Sequence, residues 1–104
     1  MLTVEDALRH LGYDETDETI SRTVTEELAE AESYLKGAVG ADIFELMPDE
    51  PRVNTLLKAY LDDIHDDRGT TSAKANNAKR SMIHSTEWQL KLELVRKREE
   101  GAAV

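Results

Sequence analysis

Apolar residues along this chain recur at intervals of three and four, the spacing that gathers them on one side of an α-helix. The first run is Val4, Ala7, Leu8 and Leu11. Thr3 stands where an N-cap is needed, Glu5 and Asp6 suit the positive end of the helix dipole, and Gly12 suits a left-handed cap. A first helix over 4–11 follows. Residues 13–17 form a short acidic connector in which Thr16 or Asp17 can cap a second helix over 18–39. Its stripe is Ile20, Val24, Leu28, Ala31, Leu35 and Ala38. Glu26, Glu27, Glu30 and Glu32 fall mostly off that stripe and read as a solvated face. Gly37 marks fraying inside the pattern, and Gly40 is the better terminator.

Residues 41–50 are a link whose Ile43, Phe44, Leu46 and Met47 can tuck against the core as one short helical turn. Pro51 is well placed to open a third helix over 51–67. Here Val53, Leu56, Leu57, Tyr60, Leu61 and Ile64 match the helical template without a gap, so this helix is expected at the centre of the core, with Arg68-Gly69 ending it. Residues 70–79 are small, polar and basic with no apolar period. They read as a flexible loop, or an arm that orders on contact with a partner.

The last segment, 80–100, carries two patterns. Helix propensity is high, yet Trp88, Leu90, Leu92 and Leu94 alternate with Gln89, Lys91 and Glu93 in the two-residue period of a half-buried strand. Helix is the favoured reading. It groups Trp88, Leu92 and Val95 on one stripe and leaves Leu90 and Leu94 partly outside. Either reading supplies more apolar surface than one face needs, which points to a partner. Residues 101–104 are expected to be a disordered tail. The predicted fold is all-α: a single domain over 1–104, a small bundle of about four helices with a polar loop or arm before the C-terminal amphipathic segment.

Composition narrows the function. With 104 residues and only 5% aromatic residues, the core is thin. No cysteine is present, which excludes disulfides, thiolate catalysis and cysteine-ligated metal. No apolar run is long enough to span a membrane, and the first residues lack the basic and apolar regions of a signal peptide, so the expectation is a soluble protein made in the cytoplasm. The net charge of −9 is unevenly spread: 14 acids against 3 bases in residues 1–50, but 8 bases against 2 acids in 68–98. A surface this acidic repels phosphate, which argues against binding of free nucleic acid. The split instead suits head-to-tail association, the acidic face of one copy meeting the basic segment of the next.

Candidate chemistry is sparse. Asp62, Asp63, His65, Asp66 and Asp67 lie within six residues and include carboxylate pairs four apart. Such a set can hold a divalent ion and would support a metal-dependent hydrolase. Ile64 closes the apolar stripe, so the flanking acids read as a solvated end or a patch for a basic partner. His10, His65 and His84 show no metal-ligand spacing, no serine sits in a nucleophile elbow, and the isolated glycines build no phosphate-cradling loop. Arg96-Lys97-Arg98, followed by Glu99 and Glu100, reads as a solvated helix end. No catalytic residue, cofactor or metal is assigned.

The order of parts resembles the head–tail connector family of tailed bacteriophages, also called adaptor or head-completion proteins. The pieces that carry the resemblance are the opening Leu2-Thr3-Val4-Glu5-Asp6-Ala7 and Ala31-Glu32-Ser33-Tyr34-Leu35. Next come Leu56-Leu57-Lys58-Ala59-Tyr60, running into Asp66-Asp67-Arg68-Gly69, and finally Ser81-Met82-Ile83 followed by Gln89-Leu90-Lys91-Leu92-Glu93-Leu94. The resemblance covers nearly the whole chain. The family commonly has Asn where Asp67 stands and an aromatic where His65 stands. It implies a structural virion protein, assembled in the cytoplasm of the bacterial host. About a dozen copies would form a ring at the neck. That ring would join the capsid portal to the tail or a stopper protein, with DNA passing through its channel unbound. The residues expected to meet partners are the basic Arg68, Lys74, Lys79 and Arg80 and the apolar Trp88, Leu90, Leu92 and Leu94. A second reading is a small acidic helical regulator, antitoxin- or inhibitor-like, that binds a basic protein.

Overall fold

The computed structural model describes residues 2–14, 16–69 and 77–102, with side chains described except at 67–69, 77–79 and 102. Among the described residues there are five helices and no strand: α1 (Val4–Leu11), α2 (Glu18–Ala38), α3 (Ile43–Leu46), α4 (Pro51–Gly69) and α5 (Asn77–Ala102). The chain is an all-α bundle.

The caps explain the boundaries. Thr3 Oγ1 accepts from the Asp6 N–H at 3.1 Å while the Thr3 N–H donates to Asp6 Oδ2 at 3.3 Å, a closed capping box. Gly12 then stops α1 at φ 86°, in the left-handed region where a side chain would be strained. Asp17, rather than Thr16, caps α2, its Oδ1 accepting from the Thr19 and Ile20 N–H groups. Gly37 stays inside α2, which ends one residue short of the expected Val39.

One core runs through the bundle. α1 contributes Ala7 and Leu8; α2 contributes Val24, Leu28, Ala31 and Leu35; α4 contributes Val53, Leu56, Leu57, Tyr60 and Leu61. The α2–α4 pair is its centre, α1 lies across both, and α5 packs on α4 and α3. In the link, Ile43 and Met47 are buried and Phe44 is half-buried.

The C-terminal part differs from the expectation in three ways. Residues 77–79 already belong to α5, so the polar loop is shorter than 70–79; residues 70–76 lie outside the described residues. Gly101 and Ala102 continue α5 rather than forming a tail, and 103–104 lie outside the described residues. Above all, α5 turns its other face inward. Leu90 and Leu94 are fully buried, whereas Trp88 is 60% exposed, Leu92 52% and Val95 42%. The reason is polar. Glu87, Glu93 and Arg98 share a helix face with Leu90 and Leu94, and each finds its partner on the bundle side. Tyr60 OH donates to Glu87 Oε2, Arg52 reaches Glu93 and Gln89, and Arg98 forks onto both Asp42 oxygens. Arg98 is therefore an anchor and not part of a solvated helix end.

Gly40 sits at the tightest point of this docking. A Cβ built there would lie 2.5 Å from Leu94 Cδ2 and 2.7 Å from Arg98 Nη2. Only a glycine lets α5 come this close to the link.

Candidate functional site

Three features of the molecule bear on its chemistry: the acids of α4, the buried ionisable groups, and the outward surface of α5.

The acidic run at the end of α4 does not gather into one site. Asp62 Oδ1 meets His10 Nε2 of α1 at 2.9 Å. Asp63 is exposed and lines a cleft described below. His65 turns inward. Its Nδ1 lies 3.0 Å from both Glu27 oxygens and its Nε2 lies 2.7 Å from Tyr13 OH. The Nδ1–H donates to the carboxylate, and the Tyr13 ring meets the imidazole edge-on at 5.3 Å. Among the described residues, no three His, Asp or Glu side chains converge on a point that can hold a metal ion.

Glu27 corrects the reading of α2. It is fully buried, not solvated like Glu26 and Glu30. Its position three after Val24 and four before Ala31 places it on the inner stripe. The sequence carries one usable signal for this: a glutamate at a core position asks for a buried cation or donor somewhere else in the chain. Nothing local identifies His65, 38 residues on, as that partner.

A cleft of about 450 Å³ opens between α2, α4 and the start of α5, lined by Glu30, Tyr34, Tyr60, Asp63, Arg80 and Glu87 among others. Tyr34 is 63% exposed and its ring meets Tyr60 edge-on at 4.9 Å. Burial, reinforced by the hydrogen bond to Glu87, pushes the Tyr60 hydroxyl well above the usual tyrosine range, so it stays a donor. On another side of α2, partial burial raises the Glu32 carboxyl.

The outward face of α5 is the remaining feature. Trp88, Leu92 and Val95 recur at the helical interval on the side opposite Leu90 and Leu94. The helix thus has two apolar faces, and its own bundle covers one. Of the residues expected to meet partners, Trp88 and Leu92 are available on this face and Arg80 lines the cleft. Leu90 and Leu94 are not: they fill the core and no partner touches them while the bundle is closed. Arg68 lies in α4 and Lys79 in α5, both with undescribed side chains, and Lys74 is outside the described residues. None of the helices is long and apolar enough to cross a membrane, among the described residues.

Comparison of the chain with models of protein families, with curated proteins and with solved structures gave no match.

Proposed function

We propose that this chain is a structural assembly protein, not an enzyme. It acts as a homo-oligomeric ring at the neck of a tailed-phage virion, between the portal and the tail or stopper. The observation that carries this reading is the second apolar face of α5, with Trp88 60% exposed in a chain that has one tryptophan. A large aromatic left in water beside leucine and valine is the mark of a surface that a partner covers. The charge split adds to it. An acidic α2 and a basic C-terminal segment give each copy one surface of either sign, which suits a heterologous contact that closes into a ring. An acidic body also offers few cations to phosphate, so DNA moving through such a ring is not held.

The test is direct. The purified protein is mixed with the portal from the same phage genome and imaged by negative-stain electron microscopy. The expected result is an added ring-shaped layer on the portal. No layer, with a monomer or dimer throughout, removes the neck reading.

A second reading, the acidic regulator of a basic protein, draws on a different observation. The cleft of Tyr34, Tyr60, Glu30 and Asp63 has the aromatic and acidic walls that take a lysine or arginine side chain. It predicts a discrete complex with a basic protein and no ring.

A further inference from the structure

We propose that the outer face of α5 seats antiparallel on the outer face of α2 in a second copy of this chain. The inference deepens the ring reading and rests on it for its biological setting.

Two surfaces of the molecule match each other residue by residue. The ridge on α5 is Trp88, Lys91, Leu92, Val95, Arg96 and Glu99, all on one side of the helix. The outer side of α2 carries Arg22, Glu26, Ala29, Glu30 and Ser33, all exposed. Laid antiparallel, with Leu92 over Ala29, the two stripes fall into register. Trp88 then lies over Ser33, so the two bulkiest apolar residues of the ridge face the two smallest positions of the α2 stripe. In the same register Arg96 lies beside Glu26 on the flank that also carries Glu30, and Glu99 meets Arg22. Opposite charges therefore meet at two places along the contact, Arg96 with Glu26 and Glu99 with Arg22. The parallel arrangement breaks these pairings. Small residues under a ridge let two helix axes approach closely, and the flanking ion pairs fix direction.

Two further facts favour a copy of this chain as the occupant. Arg22, Glu26, Glu30, Lys91 and Arg96 have no ion pair or side-chain hydrogen bond with another described residue, so these charges are free to pair across an interface. The two faces share no residue, so each copy can offer its α5 to one neighbour and its α2 to another. That is the heterologous geometry from which rings and filaments are built.

The absence of cysteine makes the register measurable, because introduced thiols are the only ones present. The double variant Ala29→Cys/Leu92→Cys, oxidised at low salt and high protein concentration, is expected to give a ladder of covalent oligomers. Ala29→Cys/Ser85→Cys, about two helical turns out of register, is expected to stay monomeric. A charge exchange checks the same contact without thiols. Glu26→Lys/Glu30→Lys and Lys91→Glu/Arg96→Glu are each expected to lose self-association by sedimentation, and their mixture to regain it. All these positions are exposed, so the variants fold, which circular dichroism verifies. Equal ladders from both cysteine pairs, no ladder from either, or no recovery on mixing overturns the proposal. Ladders without portal docking leave the α2–α5 contact standing and remove the neck reading. Rings on the portal that do not cross-link at Ala29→Cys/Leu92→Cys do the reverse.

Discussion

Glu27 shows how one side chain can govern three segments. It lies on α2 and bonds His65 on α4, whose other ring nitrogen bonds Tyr13 just beyond α1, so the buried carboxylate anchors an imidazole that ties the three together from inside. Removing a buried charge's partner costs more than the pair contributes, because an uncompensated group is left in low dielectric. His65→Ala, which leaves the buried Glu27 carboxylate without its donor, is therefore expected to lower stability by about 3 kcal/mol in urea unfolding. The double substitution Glu27→Leu/His65→Leu should recover much of that loss, since it leaves no orphaned charge. A double loss equal to the sum of the two single losses would show that the residues act independently. Gly40 makes the second point at this scale. Gly40→Ala pushes a methyl into Leu94 and Arg98, and about 1–3 kcal/mol of destabilisation is expected in the same assay. Both residues were opaque to sequence reasoning for one reason: their importance lies in a neighbour that is distant along the chain.

At the scale of elements, the helices with one apolar stripe were legible. Thr3, Gly12, Asp17 and Pro51 mark boundaries by local chemistry, and α1, α2 and α4 follow them closely. The fifth helix was legible as a helix but not in its orientation. Trp88/Leu92 and Leu90/Leu94 are two equally apolar pairs on opposite sides, so periodicity cannot choose between them. The choice is made by Tyr60, Arg52 and Asp42, none of which is near α5 in sequence. It follows that Leu94→Ala is expected to cost about 2–5 kcal/mol, while Leu92→Ala leaves thermal unfolding nearly unchanged and weakens association. The polar clamps also give α5 a pH dependence. The Arg98 guanidinium holds Asp42 below its ordinary value of 3.8, and Arg52 holds Glu50 below 4.5. In both cases the unfolded chain takes up the proton first as the medium is acidified. Their stabilisation is present above those ordinary values and is lost as pH falls through the lowered ones. Amide hydrogen exchange in α5 is expected to quicken, relative to α2, on acidification below about pH 4. Uniform protection across both helices would count against this.

For the whole molecule, the radius of gyration is 14.9 Å and the extents are 47 × 31 × 18 Å. A compact chain of this length would have a radius of about 13 Å. The excess reflects a long α5 laid along one side of a small bundle. An elongated body with unlike surfaces is a building block more than a container, and the cleft between α2, α4 and α5 is open, with Glu30, Asp63 and Glu87 in its lining. The charge split was readable from the sequence, but its pairing across copies required knowing which side of α5 faces out. Because the proposed contact is ionic at its edges, rising salt should weaken it. The apparent association constant is expected to fall steadily with ionic strength, while the Leu92→Ala variant loses affinity at every salt concentration. A salt-independent constant would mean that apolar contact alone drives assembly.

The way α5 is fastened also has a consequence for biosynthesis. Asp42, Arg52 and Tyr60 leave the ribosome well before Arg98, Glu93 and Glu87 are joined to the growing polypeptide. Until then the flank of α4 that Leu90 and Leu94 will cover has no lid, and a nascent chain stalled after Gly69 should bind a fluorescent apolar dye that the finished chain does not. Translation then sets the earliest moment at which this bundle closes, and only after that closure is the tryptophan left in water while the inner leucines are not.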